Sequence, residues 1–304
     1  MMTGDVRADY DALVAGGGFV ELPAQTLIEM SGRDCVKFLQ SFCTNDVQRL
    51  DAGQSCEAFV CDVKGHVVGH VHIYRDESAF WIAAAGNQAG TLIPHWDRYI
   101  IREDVTLTDC SADYREFLVP MQIVKQLDKG TFVAPCQIKF GGRDWAIAHR
   151  RAASAQVSTI DTGPRSWKPC SLAAWETLRI ESGYPIYGID IAREHLPQEV
   201  NRDVQAISFK KGCYLGQETV ARIDALGHVN KRLTGLVCSG SEVPSHGTVL
   251  NSASGQPVAT ITSACWSPRW NAPLAMAYVR REFQEGDAIG AARIVALPLV
   301  SNAK

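Results

Sequence analysis

Cys213 stands in the run Lys211-Gly-Cys-Tyr-Leu-Gly-Gln-Glu-Thr-Val-Ala-Arg222, which gathers a thiol, two glycines, an amide and several charges into one short segment. Gly212 and Gly216 bracket Cys213 and Tyr214, so the backbone there can take conformations closed to other residues and approach a ligand or another segment closely. Val220, Ile223 and Gly227 fall at helical spacing, which predicts a helix over Gln217–Leu226 that stops at Gly227. Cys213 then lies just ahead of a helix N-terminus and beside Lys210 and Lys211, and both influences favour a thiolate. The same residues also have an ordinary reading. Glu218 and Arg222 are four apart and would make a surface pair worth roughly 0.3–0.5 kcal/mol, and a lone cysteine can serve as a small buried hydrophobe. Residue chemistry alone leaves both readings open.

A second cluster precedes this one. Arg179-Ile-Glu-Ser-Gly-Tyr-Pro-Ile-Tyr-Gly-Ile-Asp-Ile191, followed by Leu196-Pro-Gln-Glu199, runs from a helix into a turn-rich loop that carries Tyr187 and several acids, a natural ligand wall. On chemistry alone Glu199 is a helix N-terminal acid and Asp190 a turn residue. His66, His70 and His72 fall at alternate positions, so a strand would place them on one face. No carboxylate or cysteine follows at a matching interval, and the histidines read as part of a half-solvated strand, with no metal site expected. Ten cysteines, at 35, 43, 56, 61, 110, 136, 170, 213, 238 and 265, form no C-x-x-C pair. Scattered thiols in a chain of this length point to a reducing compartment, and the chain reads as cytoplasmic.

The elements that must position these residues are legible in outline. The 304 residues, 46% hydrophobic and 21% charged, suit a globular protein of about two domains. A formal charge of −3 advertises no nucleic-acid surface, and neither a membrane-spanning run nor a secretory signal is evident. Asp34–Cys43 reads as a helix entered near Ser31 or Arg33. Segments 56–63, 67–74 and 79–85 read as a three-stranded meander, 87–101 as a helix and 105–108 as a short strand. From 114 to 150 the pattern is a strand, a helix near 121–127, and strands around 131–134 and 145–149. Ala152–Pro164 is the best linker candidate. Ser171–Ser182 reads as a helix with Ser171 as N-cap and Gly183 at C′. Beyond Gly227, short strands at 233–237, 249–250, 258–261, 274–279 and 291–296 predict a small all-β barrel or sandwich. The fold class is α+β. Its expected domains are 1–110 with 165–230 contributing to the same cleft, 111–164, and 228–304.

The run at 211–222 resembles the signature of the YgfZ family, K-G-C-[FY]-x-G-Q-E-x-x-[AS]-R, at Lys211, Gly212, Cys213, Tyr214, Gly216, Gln217, Glu218, Ala221 and Arg222. The 179–199 run is similar to the "R-x-E-x-G, G-x-D-I, P-x-E" pattern that YgfZ shares with the glycine-cleavage T-protein, a tetrahydrofolate-dependent aminomethyltransferase. Gly32, Asp34, Phe38, Leu39, Thr44, Asn45, Asp46 and the turn Lys64-Gly65 resemble the superfamily's N-terminal run, and the match is weakest over about 110–165. The resemblance implies a T-protein-like multidomain cloverleaf with a small C-terminal β-barrel. It implies a tetrahydrofolate pocket with Glu199 on the pterin, through a carboxylate that accepts two adjacent N–H groups, and with Tyr187 and Arg222 as further binding residues. It also implies Cys213 as a functional thiol in iron-sulfur cluster assembly or repair for client enzymes, tRNA-modifying ones included. Partners would be folate and iron-sulfur client or assembly proteins, with no direct nucleic-acid or membrane contact. One departure matters: where the T-protein has adjacent aspartates, one of them catalytic, this chain reads Val68-Gly69-His70-Val71. That weakens the alternative of a true one-carbon transferase, and leaves His70 as the proton-handling group there, with no partner identified in the sequence.

Overall fold

The computed structural model describes residues 2, 4–23, 25–127, 131–152 and 167–299, so the expected linker at 152–164 lies, beyond Ala152, outside the described residues. In chain order the elements are α1 (Gly4–Ala15), β1 (Gly18–Glu21), β2 (Thr26–Ser31), α2 (Cys35–Phe42), β3 (Ser55–Cys61), β4 (Val67–Arg75), β5 (Ala79–Ala84), α3 (Ala89–Asp97), β6 (Thr106–Asp109), β7 (Tyr114–Pro120), β8 (Thr131–Phe140), β9 (Arg143–Arg151), β10 (Lys168–Pro169), α4 (Leu172–Glu181), α5 (Asp203–Ala206), α6 (Gln217–Leu226), β11 (Lys231–Cys238), β12 (Val249–Asn251), β13 (Pro257–Ser267), β14 (Ala272–Arg280), β15 (Ala288–Ile289) and β16 (Ala292–Val295). They form three sheets, ordered β3-β4-β5-β2-β6, β10-β1-β7-β9-β8 and β12-β13-β14-β11-β16-β15.

The meander anticipated from the turn signals is the first three strands of the first sheet. Its outer face packs Ile28, Val60, Val71, Ile73 and Phe80 against Leu39 of α2 and against Leu92 and Trp96 of α3. Because β3 and β4 are covered on both faces, nearly every residue of both is buried, polar ones included. The opposite face carries Phe59, Val67 and the two strand histidines toward the segments after α4.

The chain start does not stay with the first sheet, although 1–110 reads as one unit in the sequence. β1 pairs antiparallel with β7 and parallel with β10, and α1 packs against α4 through Tyr10, Leu13, Trp175 and Leu178. Burying these side chains against Phe140 and Trp145 gives the second sheet a core that its own short strands could not make. The helix expected near 121–127 is a 3-10 segment, Met121–Gln126, and the strand expected at 131–134 extends to Phe140. Gly227 and Gly183 both adopt positive φ at helix ends, as their placement predicts. Ser171 accepts the Ala174 N–H at 3.4 Å as the N-cap of α4. The tail forms the third sheet, whose β11, β13 and β14 are longer than their apolar centres indicated.

Candidate functional site

Between the first two sheets lies a cavity of about 520 Å³, a size in the range that takes a small-molecule ligand. Its walls come from the end of β5, from Leu118 on β7 and Ile147 on β9, from Trp175 on α4, and from the loop that carries Tyr184 and Tyr187. Phe140 closes one side with its ring edge-on to Trp175 and to Tyr184, at centroid separations of 4.7 and 5.6 Å. The lining is predominantly apolar and aromatic, which suits a flat heteroaromatic body.

The loop is locked by Asp190, whose buried carboxylate accepts from Arg179 Nη1 at 2.9 Å, from the Ile186 N–H at 3.0 Å, and from the hydroxyls of Thr262 and Ser263 at 2.6 Å each. Asp190 is thus more than a turn residue. It joins α4, the loop and β13, and so fixes where Tyr184 and Tyr187 stand relative to the cavity.

Beneath Tyr184 runs a buried polar network that the sequence did not reveal. Glu57 on β3 is fully buried and accepts from Arg202 Nε at 2.8 Å and from Arg202 Nη2, a bidentate pair, while His70 Nε2 lies 2.7 Å from Glu57 Oε1. Burial opposes ionisation of Glu57, and Arg202 with His70 more than offsets it, so the carboxyl is held well below its ordinary range. The partner for His70 is therefore Glu57, supplied by the neighbouring strand. His72, two residues on, pairs with the Tyr184 hydroxyl at 2.6 Å, and burial pulls its pKa down to about 4, leaving a neutral imidazole on the cavity wall at neutral pH. His70 and His72 are thus each engaged by a protein partner, and His66 lies 3.4 Å from Asp62. Among the described residues no group of three or more His, Cys, Asp and Glu is arranged to hold one.

Gly69 points the other way. A Cβ built there would sit 2.8 Å from Leu92 Cδ2 on α3, so this position faces the first sheet's core rather than the cavity.

The structure separates the expected ligand residues. Tyr187 lines the cavity, but Glu199 does not. Glu199 Oε2 accepts the Leu196 N–H at 3.1 Å and so caps the start of the 3-10 turn Pro197–Val200, which is the chemistry its position predicts before any resemblance is invoked. Arg222 is exposed on α6, also away from the cavity wall, and among the described residues no ion pair joins it to Glu218. Neither residue lines this cavity.

The Cys213 motif divides into anchors and a displayed group. Lys211 is buried and donates to the carbonyls of Gln40, Cys43 and Asn45 at 2.6, 2.7 and 2.8 Å, with its ammonium 5.1 Å from the centroid of the Tyr214 ring. That ammonium serves the N-terminal run, not the thiol, contrary to the expectation from spacing. Thr44 and Asn45 return the grip by bonding the carbonyls of Ala206 and Gln205 at 2.6 and 2.9 Å. Tyr214 is buried with Phe59, Val67, Ile191 and Val220, a cluster on which Tyr187 also packs. Cys213 itself is exposed, off the cavity wall and ahead of α6.

Only one of the two motif glycines is sterically required. Gly216 has φ +83°, and a Cβ there would lie 2.5 Å from the Asp62 carbonyl oxygen and 2.9 Å from Gly65 Cα, so the motif seats directly on the Lys64-Gly65 turn. A Cβ on Gly212 meets nothing within 4 Å. Gly216→Ala is expected to lose about 2–4 kcal/mol through left-handed strain and the clash with Asp62, whereas Gly212→Ala should change stability by less than about 0.5 kcal/mol. Chemical denaturation of the two variants checks this, and equal losses would show that the turn does not hold the motif.

Comparison with known proteins bears on the whole assembly. Residues 2–120 match the GCVT N-terminal domain, and residues 231–295 match the glycine cleavage T-protein C-terminal barrel domain. A probable aminomethyltransferase of Halobacterium salinarum is 25% identical over 305 residues, covering 90% of this chain and 82% of its own. The aminomethyltransferase of Rubrobacter xylanophilus is 25% identical over 321 residues, covering 96% and 86%. The crystal structure of glycine cleavage system aminomethyltransferase T from Bartonella henselae superposes with a TM-score of 0.79 at 17% identity, covering 97% of this chain and 89% of that one. The chain thus has the glycine cleavage T-protein fold, with an N-terminal domain and a C-terminal barrel domain of that kind.

Proposed function

We propose that this chain binds a tetrahydrofolate in the cavity between its first two sheets and acts as an accessory protein of the YgfZ type. In that role it supports iron-sulfur cluster assembly or repair in client enzymes, tRNA-modifying ones included, through the thiol of Cys213. The observation that carries this reading is the arrangement at Gly69 and His70. Gly69 faces Leu92 and His70 is held by Glu57, so the strand that would supply a transferase's carboxylate offers none to the cavity. The cavity nevertheless fits the folate: its aromatic walls suit the flat pterin, and His72 and Tyr184 supply polar atoms among apolar ones. Tyr184, Tyr187 and Trp175 would enclose the ring system and exclude water. Tetrahydrofolate, when bound, supplies a carrier for one-carbon units. The thiol stands on the outer surface, where a partner protein can reach it.

A transferase is the second reading, favoured by the aminomethyltransferases that match more than nine-tenths of this chain. Calorimetry with tetrahydrofolate, followed by anaerobic incubation of the loaded protein with aminomethyl donors, separates the two. Binding without catalytic formation of methylenetetrahydrofolate is expected. Multiple turnovers would replace the accessory reading with the transferase, and an absence of binding would remove both.

A further inference from the structure

We propose that Glu116 is the anchoring acid of the central cavity, the group against which a planar ligand sets two neighbouring N–H donors. This rests on the folate reading above and names the edge by which that ligand is held. Strand alternation places Glu116 and Leu118 of β7 on one face of the second sheet, opposite His149 and Ile147 of β9, and Glu116, Leu118 and Ile147 all line the cavity. The other acidic, basic or amide side chains on that wall are already engaged. Gln25 donates to the Pro23 carbonyl at 2.7 Å, His72 pairs with Tyr184, and Glu176 takes three hydrogen bonds from Arg179. Glu116 is different. It is 8% exposed, and its Oε2 is buried with no hydrogen bond among the described residues, 3.5 Å from His149 Nδ1. A carboxyl oxygen buried in an apolar wall without a donor is costly to keep, and a ligand that brings donors relieves that cost.

Burial pushes the Glu116 carboxyl up to about 8, so it stands protonated at neutral pH. Among the described residues, the groups facing it do not reverse this. His149 across the strand pair is pulled down to about 3 by burial and is neutral, and Glu21 on β1 is paired with Arg115. Across the cavity stand the neutral His72, Tyr184 and the Glu176 carboxylate held by Arg179. A pterin presents a ring N–H beside an exocyclic amine. Two such donors favour the carboxylate over the acid, so the Glu116 O–H bond breaks on binding, its proton passes to buffer, and the carboxylate accepts both N–H groups. The bidentate contact that the sequence resemblance lodges with Glu199 falls to Glu116.

The test is calorimetry with 5-formyltetrahydrofolate and with free pterin, in buffers of different ionisation enthalpy between pH 6 and 7.5. Wild type is expected to release close to one proton per ligand at pH 7 and to bind more tightly as pH rises. Glu116→Gln keeps the shape, abolishes the proton release and weakens binding about tenfold or more; Glu116→Leu weakens it further. Thermal melts of both variants establish that they are folded. A Glu116→Gln protein with unchanged affinity and proton stoichiometry overturns the anchor while leaving the folate reading in place. A wild type that binds free pterin with proton release but not the folate supports the anchor and removes the folate reading. Wild-type protein that binds neither probe removes both.

Discussion

Replacing Arg202 by methionine is expected to destabilise the protein by about 3–5 kcal/mol at pH 7, because it leaves the Glu57 carboxylate buried with only His70 beside it. The pH dependence identifies the cause. In wild type the folded pKa of Glu57 is depressed, so its pairing contributes stability above the unfolded carboxyl pKa, and that contribution is lost only as pH falls through the much lower folded value. With Arg202 gone, burial dominates and the carboxyl moves up. A raised acid costs stability above its unfolded pKa and recovers it as the group takes a proton, so the deficit of the variant should shrink between pH 7 and pH 5. Adding Glu57→Gln should recover part of the loss, since no charge is then left unpaired. Urea denaturation at both pH values measures this; an equal deficit at pH 7 and pH 5 would mean that lost packing, not charge, is responsible. Arg202 also lies 5.8 Å from the centroid of the Tyr184 ring, so the variant should loosen the cavity floor as well as the fold.

What could be read from the chain follows the range of the interactions that make each element. α4 and α6 are declared by local signals, Ser171 and Gly183 at the ends of one and Gly227 at the end of the other, and the meander by turns between apolar runs. β1 was not legible, because its identity as a strand is set by β7 and β10, which lie roughly a hundred residues or more away in the chain. The Glu57 network was hidden for the same reason: Arg202 and Glu57 are separated by 145 residues, and neither residue's neighbours announce the other. Glu116 did leave a trace. It is the acid in the strand Tyr114-Arg-Glu-Phe-Leu-Val-Pro120, at the position whose alternation with Leu118 points inward, and a carboxylate there needs either a partner or a ligand. Glu199 shows the opposite case. Its place two residues after Pro197 at the start of a turn already marked it as a cap, and its carboxylate does accept the Leu196 N–H.

The motif that contains Cys213 should separate under mutation into a structural half and a functional one. Lys211→Met removes an ammonium that satisfies three backbone carbonyls in a buried place, and each charge-assisted bond is worth roughly 1.5–3 kcal/mol net. Burial itself works against the charged amine and lowers its pKa, so the net loss is expected to be about 3 kcal/mol, less than the sum of the three bonds. Cys213→Ser changes one exposed atom and should leave stability within about 0.5 kcal/mol of wild type. Function is expected to divide the other way. In cells that depend on this protein for an iron-sulfur enzyme, Cys213→Ser should fail to restore that enzyme while being present at wild-type levels, whereas Lys211→Met should fail in proportion to its loss of folded protein. Calorimetry adds the decisive contrast, because Cys213 lies off the cavity wall and its serine variant should bind tetrahydrofolate as wild type does. If Cys213→Ser both restores the client enzyme and binds normally, the thiol has no part in the activity, and the motif's purpose is the clamp that Lys211 and Gly216 make between the two ends of the first sheet's domain.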